Sequence, residues 1–260
     1  MSTADIDGIT LHYAEHGTGG DPLVLLHGGI HGGEMFDPLV PALADGRRVV
    51  VVDLDGHGRS PLSDRPLRPQ TLADDVAGLL RHLGLAPADV LGYSLGGEVA
   101  LRLAIQHPDA VRRLVVVSAS CARDGAYPEI VAQFDAMGPG LADMIRQAPV
   151  YAHYAAHNPR PEDWDRHIAR TVEALKVDFD WRDEIPQITA PTLLVYADAD
   201  CFRPAHVAEL YALLGGGLRD GGLDGSGRPP GALAVLPGST HYDLLENPLL
   251  VPAVVRFLDG

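Results

Sequence analysis

The residue best suited to nucleophilic chemistry is Ser94, in the segment Gly-Tyr-Ser-Leu-Gly at 92–96. The segment follows a short predicted strand and opens a predicted helix, so we expect the serine on a sharp turn that lifts its hydroxyl clear of a sheet. The glycines two positions before and after the serine leave room for that turn. A serine that merely caps a helix is the alternative, but the flanking strand and helix favour a nucleophile.

A serine hydroxyl is a poor nucleophile and needs a general base. Among the 12 histidines, His241 follows the last predicted strand. Its loop can project from the carboxyl edge of the sheet, where catalytic groups gather in open α/β folds. The base needs an orienting carboxylate, and both Asp198 and Asp200 follow the preceding strand. We favour Asp200, which lies directly before a helix; Asp198 would then brace the loop.

Attack by a serine places negative charge on the carbonyl oxygen of the substrate, and two preorganised N–H donors must hold it. The first predicted donor is the N–H of Leu95, the residue after Ser94. The second should come from the glycine-containing loop after the predicted strand at 23–26. In that loop Gly29 is the favoured donor and Ile30 is the second choice.

Five apolar or aromatic side chains are predicted to line the substrate site. Ile30, Phe36 and Tyr93 flank the expected oxyanion region, although Tyr93 could point away because neighbours on a tight turn diverge. Phe134 and Tyr151 lie in a predicted helical cap and could shape an apolar pocket. Packing of the cap on itself explains these last two residues equally well.

The sequence predicts neither a metal site nor a cofactor site. His27 and His31 have the spacing of two ligands on one helical turn, and Glu34 is nearby. They lie in a glycine-rich loop, however, which does not bring both rings to one face. No glycine pair is followed by the Gly-Lys-Ser/Thr sequence of a phosphate loop. Cys121 and Cys201 fit neither a disulfide framework nor a zinc site.

Short apolar runs alternate with helical patterns and indicate the elements that must position these residues. Predicted strands lie at 23–26, 49–52, 114–117 and 193–196, with weaker ones at 89–91 and 233–236. Runs that are apolar throughout are typical of strands covered on both faces, as in a parallel sheet. Residues 9–15 alternate in polarity and predict an antiparallel edge strand.

Helical spacing fills the intervals between the strands. Predicted helices lie at about 71–84, 95–107, 204–215 and 249–258. Thr71 is the predicted N-cap of the first helix, and Gly84 suits its carboxyl end. The succession of strands and helices predicts a doubly wound α/β sheet.

Two segments interrupt this alternation. Residues 121–187 contain no strand pattern and are predicted to form an inserted helical cap, with helical stretches at 127–137, 141–147 and 161–177. The α/β core would then comprise residues 1–120 and 188–260. Residues 215–231 include eight glycines and two prolines and predict a long loop.

The charge balance bears on partners. The chain has 20 basic and 35 acidic residues, a net charge of −15, which disfavours nucleic acids and anionic membranes because both repel an acidic protein. We expect a small-molecule substrate and a monomer or homodimer. The first residues lack the features of a signal peptide, no apolar run approaches the roughly 20 residues of a membrane span, and free cysteines suit a reducing compartment. The expected location is the cytoplasm.

The chain resembles the α/β-hydrolase superfamily, in its small, cap-bearing bacterial branch of esterases, lactonases and C–C hydrolases. The resemblance is carried, in the family's order, by segments 27–29, 53–60, 92–97, 200–204 and 238–241. It implies an α/β fold with an eight-stranded, mostly parallel sheet, helices on both faces, a triad of Ser94, His241 and Asp200, and no cofactor. Segment 53–60 is implied to be a structural turn. The interval between the aspartate and the histidine is longer than usual, and the excess is the loop at 215–231.

Three functions are compatible with these residues. The first, which we predict, is hydrolysis of a carboxylic ester or lactone of a small, largely apolar substrate through an acyl-enzyme on Ser94. The second uses the same triad for C–C bond hydrolysis or for cofactor-free perhydrolysis, as in haloperoxidase-like enzymes. The third is a non-enzymatic ligand-binding protein that retains the triad, since fold does not settle function.

Overall fold

A computed structural model describes residues 2–138 and 140–260; Met1 of the predicted core and Pro139 of the predicted cap lie outside the described residues. The strands are β1 (Ser2–Ile6), β2 (Ile9–His16), β3 (Leu23–Leu26), β4 (Val49–Asp53), β5 (Ala88–Tyr93), β6 (Val111–Val117), β7 (Thr192–Ala199) and β8 (Gly231–Thr240). The α-helices are α1 (Val40–Leu43), α2 (Pro69–Leu83), α3 (Leu95–Gln106), α4 (Pro128–Ala136), α5 (Leu141–Ile145), α6 (Pro149–His157), α7 (Trp164–Leu175), α8 (Pro204–Leu213) and α9 (Leu250–Leu258). None of these helices combines the length and apolar character needed to cross a bilayer.

Within the described residues the eight strands form one sheet in the order β1-β2-β4-β3-β5-β6-β7-β8. The pairs β1–β2 and β2–β4 are antiparallel, and the other pairs are parallel. This confirms the predicted fold class. The order also places the carboxyl ends of β3, β5, β6 and β7 side by side at one edge of the sheet.

The amino-terminal hairpin corrects one prediction. Residues 9–15 do form an antiparallel strand, but β1, which was not predicted, lies outside it at the edge of the sheet. The two strands are joined by Asp7 and Gly8, which both have positive φ (49° and 83°). An Asp-Gly turn of this kind matches the twist of a hairpin, and it was the overlooked signal in the sequence.

The apolar runs form strands because both of their faces are covered. In β3 the side chains of Leu23 and Leu25 join one buried cluster with α9, whereas Val24 and Leu26 join a second cluster with α2 and α3. Successive side chains of a strand point to opposite faces. All four of these side chains have no exposed surface, so each face of the sheet contributes to the core.

Two helix predictions need correction. Thr71 is not an N-cap, because α2 begins two residues earlier at Pro69, whose fixed φ and missing N–H suit a first helical position. The carboxyl end is as predicted, with Gly84 in the left-handed region at φ 64°. Helix α6 was not predicted; it begins at Pro149, which likewise takes the first helical position.

The chain between β6 and β7, which we call the helical segment (residues 121–187), contains α4 to α7. It has its own small apolar cluster, which includes Tyr154, Trp164 and Ile168. It also contacts the segment that follows β4. The Asn158 side-chain amide donates hydrogen bonds to the carbonyl oxygens of Gly58 (2.8 Å) and Ser60 (3.0 Å).

Three buried histidines lie where the helical segment meets the rest of the protein. The ring centroids of His27 and His57 are 5.1 Å apart, and those of His57 and His167 are 4.4 Å apart. All three rings are fully buried. Burial lowers the pKa of His167 to about 3, and burial also lowers the pKa values of His57 and His27. These rings are therefore neutral in the folded protein at neutral pH.

Acid is expected to destabilise the fold through this cluster. The pKa of His167 is about 3 when folded, against 6.5 for an ordinary histidine, so between these values only the unfolded chain binds the proton. Stability is complete above pH 6.5 and falls as the pH decreases toward 3, by about 2 kcal/mol between pH 7 and pH 5 for one such group. We expect His167→Phe to reduce this pH dependence, measured as urea unfolding free energies at both pH values.

The exposed His82 provides the control for this experiment. His82→Phe should leave the difference in stability between pH 7 and pH 5 as it is in the unaltered protein, because this ring is exposed and lies outside the buried histidine cluster. If His167→Phe and the unaltered protein lose equal stability at pH 5, the buried ring is not a source of the acid sensitivity.

Candidate active site

The turn between β5 and α3 holds Ser94 in a conformation that few residues adopt. Ser94 has φ 52° and ψ −118°, and strained backbone of this kind clusters at functional sites. Its N–H donates to the Val117 carbonyl oxygen of β6 (2.9 Å), and its own carbonyl oxygen accepts from the N–H of Gly97 (2.8 Å). The backbone is thus fixed from both sides, and the hydroxyl stands at the carboxyl edge of the sheet.

Two glycines make this turn possible. A Cβ atom at Gly92 would lie 2.0 Å from the carbonyl oxygen of Gly96, and one at Gly96 would lie 2.1 Å from the carbonyl oxygen of Leu26. Both distances are far below van der Waals contact, and both clashes would be with backbone. The sequence pattern around Ser94 therefore reflects close approach of α3 to the ends of β3 and β5.

His241 follows β8 and reaches back to the serine. Its Nε2 atom is 3.1 Å from Ser94 Oγ. The Tyr93 hydroxyl donates to the carbonyl oxygen of His241 (2.5 Å), and the two rings stack with centroids 5.4 Å apart. Phe202 packs edge-on against the imidazole at 5.9 Å. Aromatic contacts and a backbone hydrogen bond thus fix the position of the imidazole.

Asp200, rather than Asp198, is the carboxylate beside the histidine. Asp200 Oδ1 is 3.4 Å from His241 Nδ1, and the aspartate side chain is only 3% exposed. The carboxylate also accepts hydrogen bonds from the N–H groups of Ala197 (3.1 Å) and Cys201 (2.8 Å). Asp198 is exposed and accepts from the Ser239 N–H (3.1 Å), which braces the start of the histidine loop.

Ser118 is a site residue that the sequence analysis missed. It directly follows β6, and its fully buried hydroxyl is 2.6 Å from His241 Nδ1. The same hydroxyl donates to Asp200, whose two oxygens lie 2.8 and 2.7 Å away. Its position after a buried strand, at the edge where the other site residues follow theirs, was the signal available in the sequence.

The surroundings of Asp200 keep it ionised. Burial raises the pKa of the carboxyl, but the hydrogen bonds from His241 and Ser118 lower it by more, so the pKa lies below its usual value. A carboxylate that accepts several hydrogen bonds favours its charged form. The site therefore presents a buried anion next to the imidazole at neutral pH.

The two predicted oxyanion donors lie on adjoining backbone segments. Leu95 is the first residue of α3, and the first N–H groups of a helix have no acceptor within the helix. The loop after β3 packs directly on this turn: a Cβ atom at Gly28 would lie 3.5 Å from Ser94 Cβ, and one at Gly29 would lie 3.9 Å from Leu95 Cδ2. Backbone donors of both segments thus adjoin the serine.

The loop after β3 is itself held in place. The Gly33 N–H donates to Asp53 Oδ1 (2.6 Å), and His27 Nε2 accepts from the Leu54 N–H (3.0 Å). Ile30 has φ 71°, which is a true outlier for a β-branched residue. Its side chain packs against the apolar cluster of the helical segment. The loop therefore connects the serine turn to the helical segment.

The five predicted lining residues have different surroundings. Ile30 and Tyr151 both pack on the cluster of the helical segment, and Phe134 is half-buried on α4. Phe36 is a wrong prediction: it has no exposed surface and packs in the core beneath the sheet. Tyr93 is buried and its hydroxyl donates to the carbonyl oxygen of His241, so its place as a lining residue stays a prediction.

One group of potential metal ligands occurs within residues 2–138 and 140–260. Side-chain atoms of Asp200, Cys201 and His241 lie within 4.8 Å of one another. The aspartate and the histidine are already joined through Ser118, and burial raises the pKa of the Cys201 thiol. A protonated thiol is a poor metal ligand. We therefore assign these three residues to the candidate active site rather than to a metal site. His27, His31 and Glu34 are not among such groups.

Two surface cavities lie away from the serine. One, of about 330 Å³, is formed by the end of β8 and the residues after it, including Ser239 and Asn247. The other, of about 570 Å³, lies beside the amino-terminal hairpin and is lined by Arg59 and Arg160 among others. Ser94, His241 and Asp200 line neither cavity, so neither is the place where the candidate nucleophile would act.

Solved structures share this architecture along the whole chain. The enol-lactonase from Burkholderia xenovorans LB400 superposes with a TM-score of 0.73, covers 100% of both chains and is 24% identical in sequence. At 24% identity, this similarity supports a shared fold and nothing about function. It extends over both the sheet and the helical segment.

Sequence relatives are closer. A pimeloyl-[acyl-carrier protein] methyl ester esterase of Aeromonas hydrophila subsp. hydrophila is 34% identical over 214 residues, which cover 71% of this chain and 79% of the relative. A 2-(acetamidomethylene)succinate hydrolase of Mesorhizobium japonicum is 28% identical and covers 98% of this chain and 94% of its own. Residues 21–157 match the profile of the family described as the alpha/beta hydrolase fold. The chain therefore belongs to the alpha/beta hydrolase fold family.

Proposed function

We propose that the protein hydrolyses carboxylic esters or lactones of small, largely apolar substrates through an acyl-enzyme on Ser94. The observation that carries this proposal is the hydrogen-bonded series from Ser94 Oγ to His241 Nε2 (3.1 Å) and from His241 Nδ1 toward Asp200. A serine, a base and an orienting acid in this order perform acyl transfer on many unrelated folds. The esterase relative, at 34% identity, supports an ester as the substrate class.

Acylation begins when His241 Nε2 removes the hydroxyl proton of Ser94 as its Oγ attacks the carbonyl carbon. The resulting tetrahedral intermediate collapses, the bond to the leaving alcohol oxygen breaks, and His241 returns the proton to that oxygen. Water then attacks the acyl-enzyme with the same base, the acid is released, and Ser94 regains its proton. A lactone follows the same steps, except that its leaving alcohol stays attached to the acyl group.

The oxyanion of each intermediate would be held by the N–H groups of Leu95 and Gly29. Both are backbone donors on fixed segments, so no reorganisation is needed as charge develops. The amino terminus of α3 adds a favourable dipole at the same position. Loss of one such donor typically costs about 10²–10³ in rate, which places these groups among the larger contributors to turnover.

The helical segment would act as a cap that limits substrate size. It contacts the core at several points, among them His153 with Glu34 (3.4 Å) and Arg170 with the Ser63 carbonyl oxygen (3.0 Å). Its apolar cluster meets the oxyanion loop at Ile30. A cap over the serine would favour a short apolar acyl group over a long or charged one. The cap would comprise residues 121–187, and the core the remainder.

A panel of substrates tests the proposed reaction. We expect p-nitrophenyl acetate, butyrate or octanoate to have a kcat/KM at least about tenfold above that of the palmitate, because a pocket of limited size rejects excess length. Simple lactones should also be opened. The panel includes a vinylogous diketone for C–C cleavage and a peracid-forming assay with acetate and hydrogen peroxide. Faster turnover of either of these than of every ester and lactone would contradict the proposal.

Variants of the helical segment, assayed on the same substrates, test whether it determines the preferred acyl length. Tyr151→Ala should change the preferred acyl length if the ring adjoins the acyl group. Met144→Ala is the matched control, because Met144 lies in the same segment but is 70% exposed. An unchanged length preference in both variants would remove Tyr151 from the substrate site without affecting the reaction assigned to Ser94.

A further inference from the structure

Ser118 lies between the histidine and the aspartate of the proposed triad. Its Oγ atom is 2.6 Å from His241 Nδ1 and within 2.8 Å of both Asp200 oxygens. The direct separation of His241 Nδ1 and Asp200 Oδ1 is longer, at 3.4 Å. The serine is fully buried, so bulk water does not compete for these contacts. The shortest hydrogen bond of the Asp200 carboxylate and that of His241 Nδ1 therefore both go to the Ser118 hydroxyl.

The donors and acceptors fix where the protons lie. An ionised carboxylate only accepts hydrogen bonds, and a serine hydroxyl has one proton to donate. The proton of Ser118 therefore points to Asp200, and a lone pair of its oxygen faces His241 Nδ1. That nitrogen must then carry a proton, which leaves the lone pair of the neutral imidazole on Nε2, 3.1 Å from Ser94 Oγ. This is the tautomer that a general base requires.

We propose that Ser118 is a positioning residue that relays the Asp200 carboxylate to His241 and thereby selects the Nδ1–H tautomer. The inference rests on the proposed function in so far as His241 serves as the base. Ser118 touches neither the substrate nor Ser94 in this scheme; it acts through the imidazole. An additional hydroxyl in this position is chemically comparable to a water molecule held between acid and base, but it is covalently fixed.

The fold holds this hydroxyl in one place. Ser118 has φ 50°, a left-handed conformation that is uncommon for serine and is retained only where the surroundings determine it. Its N–H donates to the carbonyl oxygen of Val195 in β7 (2.8 Å), as the N–H of Ser94 does to Val117 in β6 (2.9 Å). Both serines are therefore positioned by hydrogen bonds to the neighbouring strand.

Removal of the hydroxyl tests the relay. We expect Ser118→Ala to lower kcat on a p-nitrophenyl ester by about 10- to 100-fold with little change in KM, because orientation of the base is lost while the substrate site is kept. Ser118→Gly should lose as much activity; since glycine relieves the positive φ, equal losses identify the hydroxyl rather than the backbone. Should Ser118→Ala fail to fold, Ser118→Gly carries the test.

Ser120→Ala is the matched control. Ser120 belongs to the same segment and is 2% exposed, and within the described part of the chain no hydrogen bond joins it to Ser94, Asp200 or His241. Its replacement should leave kcat close to that of the unaltered protein. Equal losses at the two serines would indicate damage to the segment as a whole and would overturn the relay.

A double-mutant cycle separates a relay from a merely structural role. If Ser118 acts through Asp200, the kcat of Ser118→Ala/Asp200→Asn should be close to that of Asp200→Asn alone, since the two residues work as a unit. Asp198→Asn, on the exposed carboxylate two residues earlier, supplies the comparison and should combine multiplicatively with Ser118→Ala. Multiplicative losses for the pair with Asp200 would contradict the proposal.

The tautomer itself can be observed in the resting protein. The ¹⁵N resonances of the His241 imidazole, assigned by their loss in His241→Gln, should show a proton on Nδ1 in the unaltered protein and a mixture of tautomers in Ser118→Ala. This readout does not depend on turnover. A tautomer shift without any ester hydrolysis would contradict the proposed function alone, whereas hydrolysis with unchanged tautomer and kcat in Ser118→Ala would overturn the relay alone.

Discussion

Replacement of Ser94 by alanine is expected to lower kcat on a p-nitrophenyl ester by about 10³- to 10⁶-fold. The hydroxyl is the only group of this residue that the proposed mechanism uses, and without it neither attack nor an acyl-enzyme is available. The free energy of unfolding should hardly change, because backbone hydrogen bonds hold the turn. The hydroxyl that is removed makes one hydrogen bond, of 3.1 Å to His241. Ester hydrolysis and urea unfolding, measured on the same preparation, check both parts.

A fluorophosphonate probe gives a second measurement of the same residue. The probe should label the unaltered protein and the Ser120→Ala variant at Ser94, and should not label Ser94→Ala. Undiminished ester hydrolysis by Ser94→Ala would show that Ser94 is not the nucleophile. Absence of labelling in the unaltered protein, together with absence of turnover, would favour the non-enzymatic alternative on this fold.

Replacement of Gly96 by alanine is expected to lower the free energy of unfolding by about 3 kcal/mol or more. The new Cβ atom would lie 2.1 Å from the carbonyl oxygen of Leu26 and 2.7 Å from that of His27. These atoms belong to the end of β3 and to the loop after it, which cannot rotate away as a flexible side chain would. The clash must therefore separate α3 from the sheet, and any protein that folds should also have a displaced loop after β3.

Gly138→Ala is the control for this substitution. Apart from its chain neighbours, no atom of the described residues would lie within 4 Å of a Cβ atom there, so the unfolding free energy should stay near that of the unaltered protein. Urea unfolding of both variants measures the difference. Equal stabilities for Gly96→Ala and Gly138→Ala would contradict the prediction, because the turn would then accept a Cβ atom at position 96 without a clash.

The local sequence was informative wherever one short segment specifies its own conformation. Ser94 was predictable because glycines at fixed positions, a strand before them and a helix after them define one kind of turn. His241 and Asp200 were predictable because each follows a recognisable strand, and parallel strands bring their carboxyl ends to the same edge. The fold class followed from the same alternation of apolar runs and helical spacing.

The local sequence misled where burial or pairing depends on distant residues. Phe36 was predicted to line the site, but its ring is buried beneath the sheet with Leu23 and Leu25, and the sequence does not tell on which side of a sheet a loop residue packs. The strand Ser2–Ile6 was missed because its mostly polar sequence lacks the apolar run that predicts a buried strand. It forms because its backbone pairs with residues 9–13.

What the sequence by itself determined is therefore a set of residue types in a fixed order on the ends of predicted strands: a serine on a tight turn, an aspartate and a histidine. Only the tertiary structure decided how these meet. It chose Asp200 over Asp198 by burying one beside the imidazole and leaving the other exposed. It also inserted Ser118 between acid and base, since a hydroxyl becomes a relay only through distances of 2.6 to 2.8 Å to residues more than 80 positions away in the chain.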